Sequence, residues 1–276
     1  MAHTHLRARI AETDPARIDL LIGHLAQAGF EGFQVDDQGL DAYIPTPDPQ
    51  VDQWRIALHA LDIEPVLLEA VEERNWNAEW ESSFQPVRIP GRLSVRAAFH
   101  PPVDDGGIAL VITPKMSFGT GHHDTTVLMM EDILDTHMEG MSVLDFGTGT
   151  AILAILAEKR GAARILALDN DPWCITNADE NRQANDCRHI ETRLADAIPT
   201  DETFDIVLAN INRNVILQQA HAFRQVLKPG GRLLLSGLLA EDLPDIRNTF
   251  TPPTFAEASH AIRNRWARIG FLCNTE

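Results

Sequence analysis

The chain has 276 residues, of which 44% are hydrophobic and 23% charged, a profile that excludes intrinsic disorder and leaves room for two domains. Lysine and arginine number 23 against 40 acidic residues, a formal net charge of −17; nucleic-acid phosphates would be repelled over most of such a surface, so no direct nucleic-acid partner is expected and a basic protein or cationic substrate is the better electrostatic match. The same charge also serves plain solubility. Cys174, Cys187 and Cys273 are odd in number and widely spaced, unlike a disulfide framework or a zinc motif. No signal-peptide stretch opens "MAHTHLRARI" and no apolar run is long enough to span a bilayer, so a cytoplasmic location is expected.

The first seventy residues alternate between strand and helix. "HLRARI" alternates like a strand, and "DPARIDLLIGHLAQAG" opens with Asp14 as a cap, places Pro15 at the first helical position and closes on Gly29. "FEGFQVDD" and "LDAYIP" read as a hairpin, "VDQWRIALHAL" as a helix and "EPVLLEAVEE" as a strand. The order β-α-β-β-α-β predicts a small ferredoxin-like α+β domain over residues 1–72 with no catalytic-looking cluster. A connector rich in proline and glycine is expected over 73–107, where Trp76 and Trp80 share one face if helical, a pair whose ordinary role is packing.

Residues 108–276 are expected to form a second domain. After the strand "IALVI" comes "MSFGTGHHDTT", Met116 to Thr126. This stretch could be a phosphate loop, a metal site or a lid. A phosphate loop needs lysine after the second glycine, where His122 stands, and the adjacent His122 and His123 lack a supporting ligand at zinc spacing, so neither a phosphate loop nor a metal is expected. From Ser142 strands and helices alternate: "SVLDF", "AILAILAEKRG", "RILALD", "PWCITNADENRQAN", "ETRL", "DIVLAN", a helix to Leu227, then "GRLLLSGLL". That alternation predicts a doubly wound parallel sheet with its ligand at the carboxyl ends of the strands.

Gly147 and Gly149 follow the first of these strands directly, where a tight turn lets a ligand approach the backbone. The third position of the dinucleotide fingerprint is Ile152 rather than glycine, so the turn alone also fits a purely structural role. Asp169 ends the next strand, roughly 20 residues beyond Gly147, the separation at which a carboxylate meets a ribose diol. Asp171, ahead of Pro172, is the better helix cap, which leaves Asp169 for the ribose.

Together "FGTGHHDTT", "FGTGTAILAI", "ALDNDPWCITNADEN", "DIVLANI" and "LKPGGRLLLSGLL" resemble, in order and spacing, the ribosomal protein L11 methyltransferase (PrmA) family of class I S-adenosylmethionine-dependent methyltransferases. The resemblance covers almost the whole chain. It implies a Rossmann-like methyltransferase sheet and S-adenosylmethionine as cofactor, held by Phe118, Thr126, Gly147, Gly149, Asp169 and Asn210, with the Phe118–Thr126 loop folding over it and Thr126 touching it. Asn210, in "ANIN", would orient an acceptor amine; by position alone it would be a strand-end turn residue. No general base is assigned, because transfer needs a neutral amine and burial lowers the ordinary lysine pKa of ~10.4. The implied activity is methylation of lysine side chains and the N-terminal amine of ribosomal protein L11, with the N-terminal domain recognising the substrate. Another lysine-bearing protein, or a non-catalytic binder, is the alternative. Two departures stand out: Thr148, Thr150 and Ala151 where the family shows Gly-Cys-Gly-Ser-Gly, and polar Asn212 where it shows leucine.

Overall fold

The protein is described from a computed structural model, in which residues 4–30, 32–46, 59, 67–72, 84–102, 106–113, 115 and 117–274 are considered. The chain divides into two compact units, Met1–Phe84 and Gln85–Glu276.

The first unit carries β1 (Thr4–Ile10), α1 (Pro15–Gln27), β2 (Gly32–Asp36), β3 (Gly39–Thr46) and β4 (Leu67–Glu72). Asp14 does cap α1, accepting from the Arg17 N–H at 3.2 Å, and Ile18, Leu21 and Leu25 bury the helix face that the spacing predicts. Leu21 and Leu25 pack with Ile10, Leu40 and Ile44 in a core of their own. The sheet is antiparallel in the order β2-β3-β1-β4, the strand order of a β-α-β-β-α-β unit. The second helix, expected in 51–61, lies outside the described residues apart from His59, as do Trp76 and Trp80; the ferredoxin-like reading remains an expectation.

The second unit begins inside the expected connector. Residues 87–96 form strands, β5 (Val87–Ile89) and β6 (Leu93–Arg96), which join β7 (Ile108–Val111) in a small sheet. The "PG" that suggested a linker is a tight turn instead, closed by the Arg92 N–H on the Ile89 carbonyl (2.9 Å) with Gly91 at φ 69°.

The main sheet has seven strands in the order β10-β9-β8-β11-β12-β14-β13. In chain order its elements are α2 (Asp124–Asp135), β8 (Ser142–Phe146), α3 (Ile152–Lys159), β9 (Arg164–Asp169), α4 (Pro172–Ala184), β10 (Ile190–Leu194), β11 (Phe204–Asn210), α5 (Arg213–Val226), β12 (Leu227–Leu239), α6 (Leu243–Thr249), β13 (Phe255–Arg263) and β14 (Trp266–Cys273). All pairings are parallel except those of β14. Consecutive strand residues bury into opposite faces: Val143, Ile165, Ile206 and Leu208 pack with α2 and α3, whereas Leu144, Leu166, Val207 and Ala209 pack with α5 and α6. Each fully buried Leu or Ile contributes about 1.5–3 kcal/mol, which is what holds both helical layers to the sheet. Chain direction across the sheet reverses between neighbouring β8 and β11, so their carboxyl ends open the crevice where such folds bind ligands.

Candidate active site

The turn after β8 is built from sequence upward. Gly147 (φ 77°) and Gly149 (φ 54°) lie in the left-handed region, and a Cβ on either would come within 2.3 Å of the Ile211 Cγ2 and the Phe118 carbonyl oxygen respectively. Glycine is therefore required by close approach as well as by φ. Ala151, one of the departures, also has positive φ (63°), a strain of roughly 1–2 kcal/mol for a residue with a Cβ, and it is fully buried at the start of α3. Beneath the turn, Asp145 is almost completely buried and accepts from the Thr148 hydroxyl at 2.6 Å; burial pushes its carboxyl up to about 6.

Asp169 lies beside this turn. Asp171 is the N-cap of α4, accepting from the Trp173 N–H at 2.8 Å with Pro172 beginning the helix, as the sequence indicates. Asp169 is not free, however: its Oδ2 accepts from the Gly149 N–H (2.9 Å) and its Oδ1 from the Asp171 N–H (3.1 Å). A carboxylate has about four lone-pair sites, so two backbone contacts leave acceptor capacity for a diol while fixing the carboxylate against the turn.

A cavity of about 480 Å³ opens here, lined among others by Phe118, Gly147, Gly149, Asp169, Asn210 and Trp266. A neighbouring depression of about 300 Å³ shares Gly147, Asp169 and Ile211 and adds Ala195 and Asp196 from the end of β10, so the two form one cleft along the strand ends. The structure thus brings Phe118, Gly147, Gly149, Asp169 and Asn210 together.

Thr126, expected to touch the cofactor, lies at the edge of the site. It is fully buried on α2 and reaches the site through Asn210, whose Nδ2 donates to the Thr126 hydroxyl at 3.4 Å; it is Thr125 that lines the cavity. Neighbours on a helix point about 100° apart, which the pair "TT" cannot disclose. Asn210 Oδ1 is buried without a hydrogen-bond partner among the described residues. An orphaned acceptor of this kind costs about 1–3 kcal/mol and marks where a donor from a ligand would fit.

The histidines have separate duties. His123 caps α2 and sets its ring edge-on between Phe118 (5.3 Å between centroids) and Trp266 (4.6 Å), while His122 Nε2 meets the Gln85 carbonyl at 2.7 Å. Asn212 caps α5, its Oδ1 accepting from the Val215 N–H at 3.1 Å, which accounts for a polar residue there. Sequence reasoning missed Asp196 and Trp266. The alternation that ends β10 just before Asp196 was an available signal; Trp266 arrives from a C-terminal hairpin that the sequence reading left unassigned.

The family model for "Ribosomal protein L11 methyltransferase (PrmA)" matches residues 28–272. The chain belongs to that family. A Porphyromonas gingivalis ribosomal protein L11 methyltransferase is 42% identical over 260 residues, covering 92% of this chain and 90% of that one, and the Chlorobaculum tepidum protein of the same description is 36% identical, covering 96% and 95%. A solved ribosomal protein L11 methylase from Lactobacillus delbrueckii subsp. bulgaricus superposes with TM-score 0.64 at 26% identity, over 70% of this chain and all of that one. A methyltransferase from Pyrococcus furiosus shares the fold (TM-score 0.51, 17% identity, 60% and 90% covered). This PrmA-family chain is accordingly an S-adenosylmethionine-dependent methyltransferase of the class I fold. The residues present fit that cofactor: the glycine turn clears space for it, the Asp169 carboxylate is fixed beside the turn, and Asn210 offers an unpartnered acceptor in the same cavity.

Proposed function

We propose that the enzyme methylates amines of ribosomal protein L11, lysine side chains and the N-terminal amine, in the cytoplasm, and that residues 1–72 recognise that substrate. The observation that carries the acceptor assignment is the buried, unpartnered Oδ1 of Asn210 in the cavity that also holds Gly147 and Asp169. The names of the relatives at 36% and 42% identity support the choice of substrate. The net charge of −17 suits a lysine-bearing partner and disfavours nucleic acid, and among the described residues no helix is long and apolar enough to cross a membrane.

S-adenosylmethionine supplies an electrophilic methyl on a sulfonium. The chain's own residues do the rest. Asp169 and the Gly147–Gly149 turn hold the nucleoside and methionine parts. Asn210 Oδ1 accepts a hydrogen bond from the amine N–H and aims the nitrogen lone pair along the transfer line, with Thr126 fixing the amide that does so. Phe118, His123 and Trp266 form an aromatic wall that desolvates the incoming side chain; this lowers the lysine pKa and lets water remove the proton before transfer. Mass spectrometry of a ribosomal protein mixture incubated with enzyme and isotope-labelled cofactor tests the reading. Label in L11 alone is expected, and label in some other protein but not in L11 contradicts it.

A further inference from the structure

Helix α4 and its C-cap residue carry Asn177, Asn181 and Asn185 one turn apart on a single face, all buried. Asparagine is a poor helix former, and a buried amide needs partners. Two of these three use theirs to grip backbone outside the helix. Asn185 Oδ1 accepts from the Val111 N–H (2.9 Å) and its Nδ2 donates to the Val111 carbonyl (2.6 Å), completing a ladder rung at the end of β7. One turn earlier on α4, Asn181 Oδ1 accepts from the Thr113 N–H (2.9 Å). The spacing works because one helical turn advances about 5.4 Å, close to the roughly 6.6 Å of two extended residues.

Asn181 does something that Asn185 does not. Its Nδ2 donates to the Thr150 carbonyl at 3.0 Å, in the glycine turn. Thr150 in turn grips the loop from its far side: its N–H donates to the Phe118 carbonyl (3.0 Å) and its hydroxyl to the Gly119 carbonyl (2.6 Å). The segment leading from β7 into the loop is thus held at Thr113 and again at Phe118 and Gly119, with Asn181 and Thr150 as the bridge between the two grips.

We propose that Asn181 is a positioning residue: acting through Thr150, it fixes how the Phe118 loop lies over the Gly147–Gly149 turn, and so sets both cofactor affinity and the alignment of cofactor with acceptor. The claim rests on the methyltransferase site described above, and its cofactor-binding arm does not depend on which protein is the acceptor.

The test compares Asn181→Ala with Asn185→Ala in the full-length enzyme. Both remove one buried amide from the same face of α4, so thermal midpoints fall in both. Only Asn181→Ala should raise the Kd for S-adenosylmethionine, by about tenfold as expected for loss of one well-aligned contact, and slow single-turnover transfer at saturating cofactor; Asn185→Ala should keep both within about twofold. If Asn181→Ala does not fold, the pair Thr150→Val and Thr150→Ser decides. Valine keeps the shape and loses the hydroxyl, so its Kd should rise, and serine should restore it. Equal Kd changes in Asn181→Ala and Asn185→Ala, or unchanged affinity in Thr150→Val, would overturn the proposal. Failure of transfer to L11 with the Kd pattern intact would instead indict the choice of acceptor.

Discussion

At the scale of single residues, the site separates groups that bind from groups that hold the fold. Asp169 and Asp171 stand two apart and both line the cavity, yet one is tied to the glycine turn and the other caps α4. Asp169→Ala should weaken cofactor binding by roughly 1.5–3 kcal/mol, the worth of hydrogen bonds to a charged group. Asp171→Ala should cost about 0.5–2 kcal/mol of stability through the lost cap and leave cofactor Kd nearly unchanged. Titration calorimetry beside thermal melts measures the pair, and reversed effects would contradict the assignment. Asp145 gives a pH signature. Its carboxyl rises from 3.8 to about 6 because burial disfavours the charge. Between those values the folded state binds more protons than the unfolded one, so stability falls as pH rises through that window, and above it the buried charge costs on the order of 3 kcal/mol. Asp145→Asn should therefore melt increasingly above the wild type as pH goes from 4 to 7; a difference independent of pH would refute it. The turn at Gly147 and the cap at Asp171 were legible because glycine turns and capping are local. The sequence does not reveal that Thr125 lines the cavity while Thr126 meets Asn210, and Asn212 looked anomalous until its capping role was visible.

At the scale of elements, the parallel strands and their helices followed from alternation and caps. The short strands at 87–96 did not, since no period emerges from three or four residues, and neither did the C-terminal hairpin, whose β14 is buried along nearly its whole length and so lacks alternation. The hairpin nonetheless brings Trp266 to the cavity. Asp124, in the first turn of α2, receives Arg263 Nε (3.1 Å) and Asn264 Nδ2 (2.8 Å), and farther along the helix Asp132 pairs with Arg232 (2.8 Å) and Arg268 (2.7 Å). The helix bearing His123 is thereby pinned to β12 and β14, which sets Trp266 against the histidine ring. Trp266→Ala should lower kcat/KM for the protein acceptor by about tenfold or more, as loss of a buried aromatic anchor would, with cofactor Kd changed less than about threefold. Steady-state kinetics with each substrate varied in turn checks it; a larger effect on cofactor than on acceptor would place Trp266 elsewhere in the reaction.

At the scale of the whole molecule, the proposal is that the two units divide the work. The unit from Gln85 onward contains both faces of the main sheet and every site residue named here, while the first unit has a separate core. A chain truncated to begin at Gln85 should bind S-adenosylmethionine with Kd within about threefold of the full chain, yet lose at least about a hundredfold in kcat/KM on L11, equivalent to roughly 2.7 kcal/mol of recognition. Undiminished transfer by the truncated chain would assign recognition to the methyltransferase unit itself. The central claim is that Asn210 aligns an amine of L11 with the methyl of the cofactor. Single-turnover transfer from labelled S-adenosylmethionine at saturation to purified L11, followed by intact-protein mass spectrometry for wild type and Asn210→Ala, tests it most directly. The account predicts methylated L11 with the wild type and a rate lower by about thirty- to several-hundred-fold in the mutant, roughly 2–4 kcal/mol of barrier, at nearly unchanged cofactor Kd. An unmethylated L11 with the wild type, or equal rates for the two proteins, would contradict it.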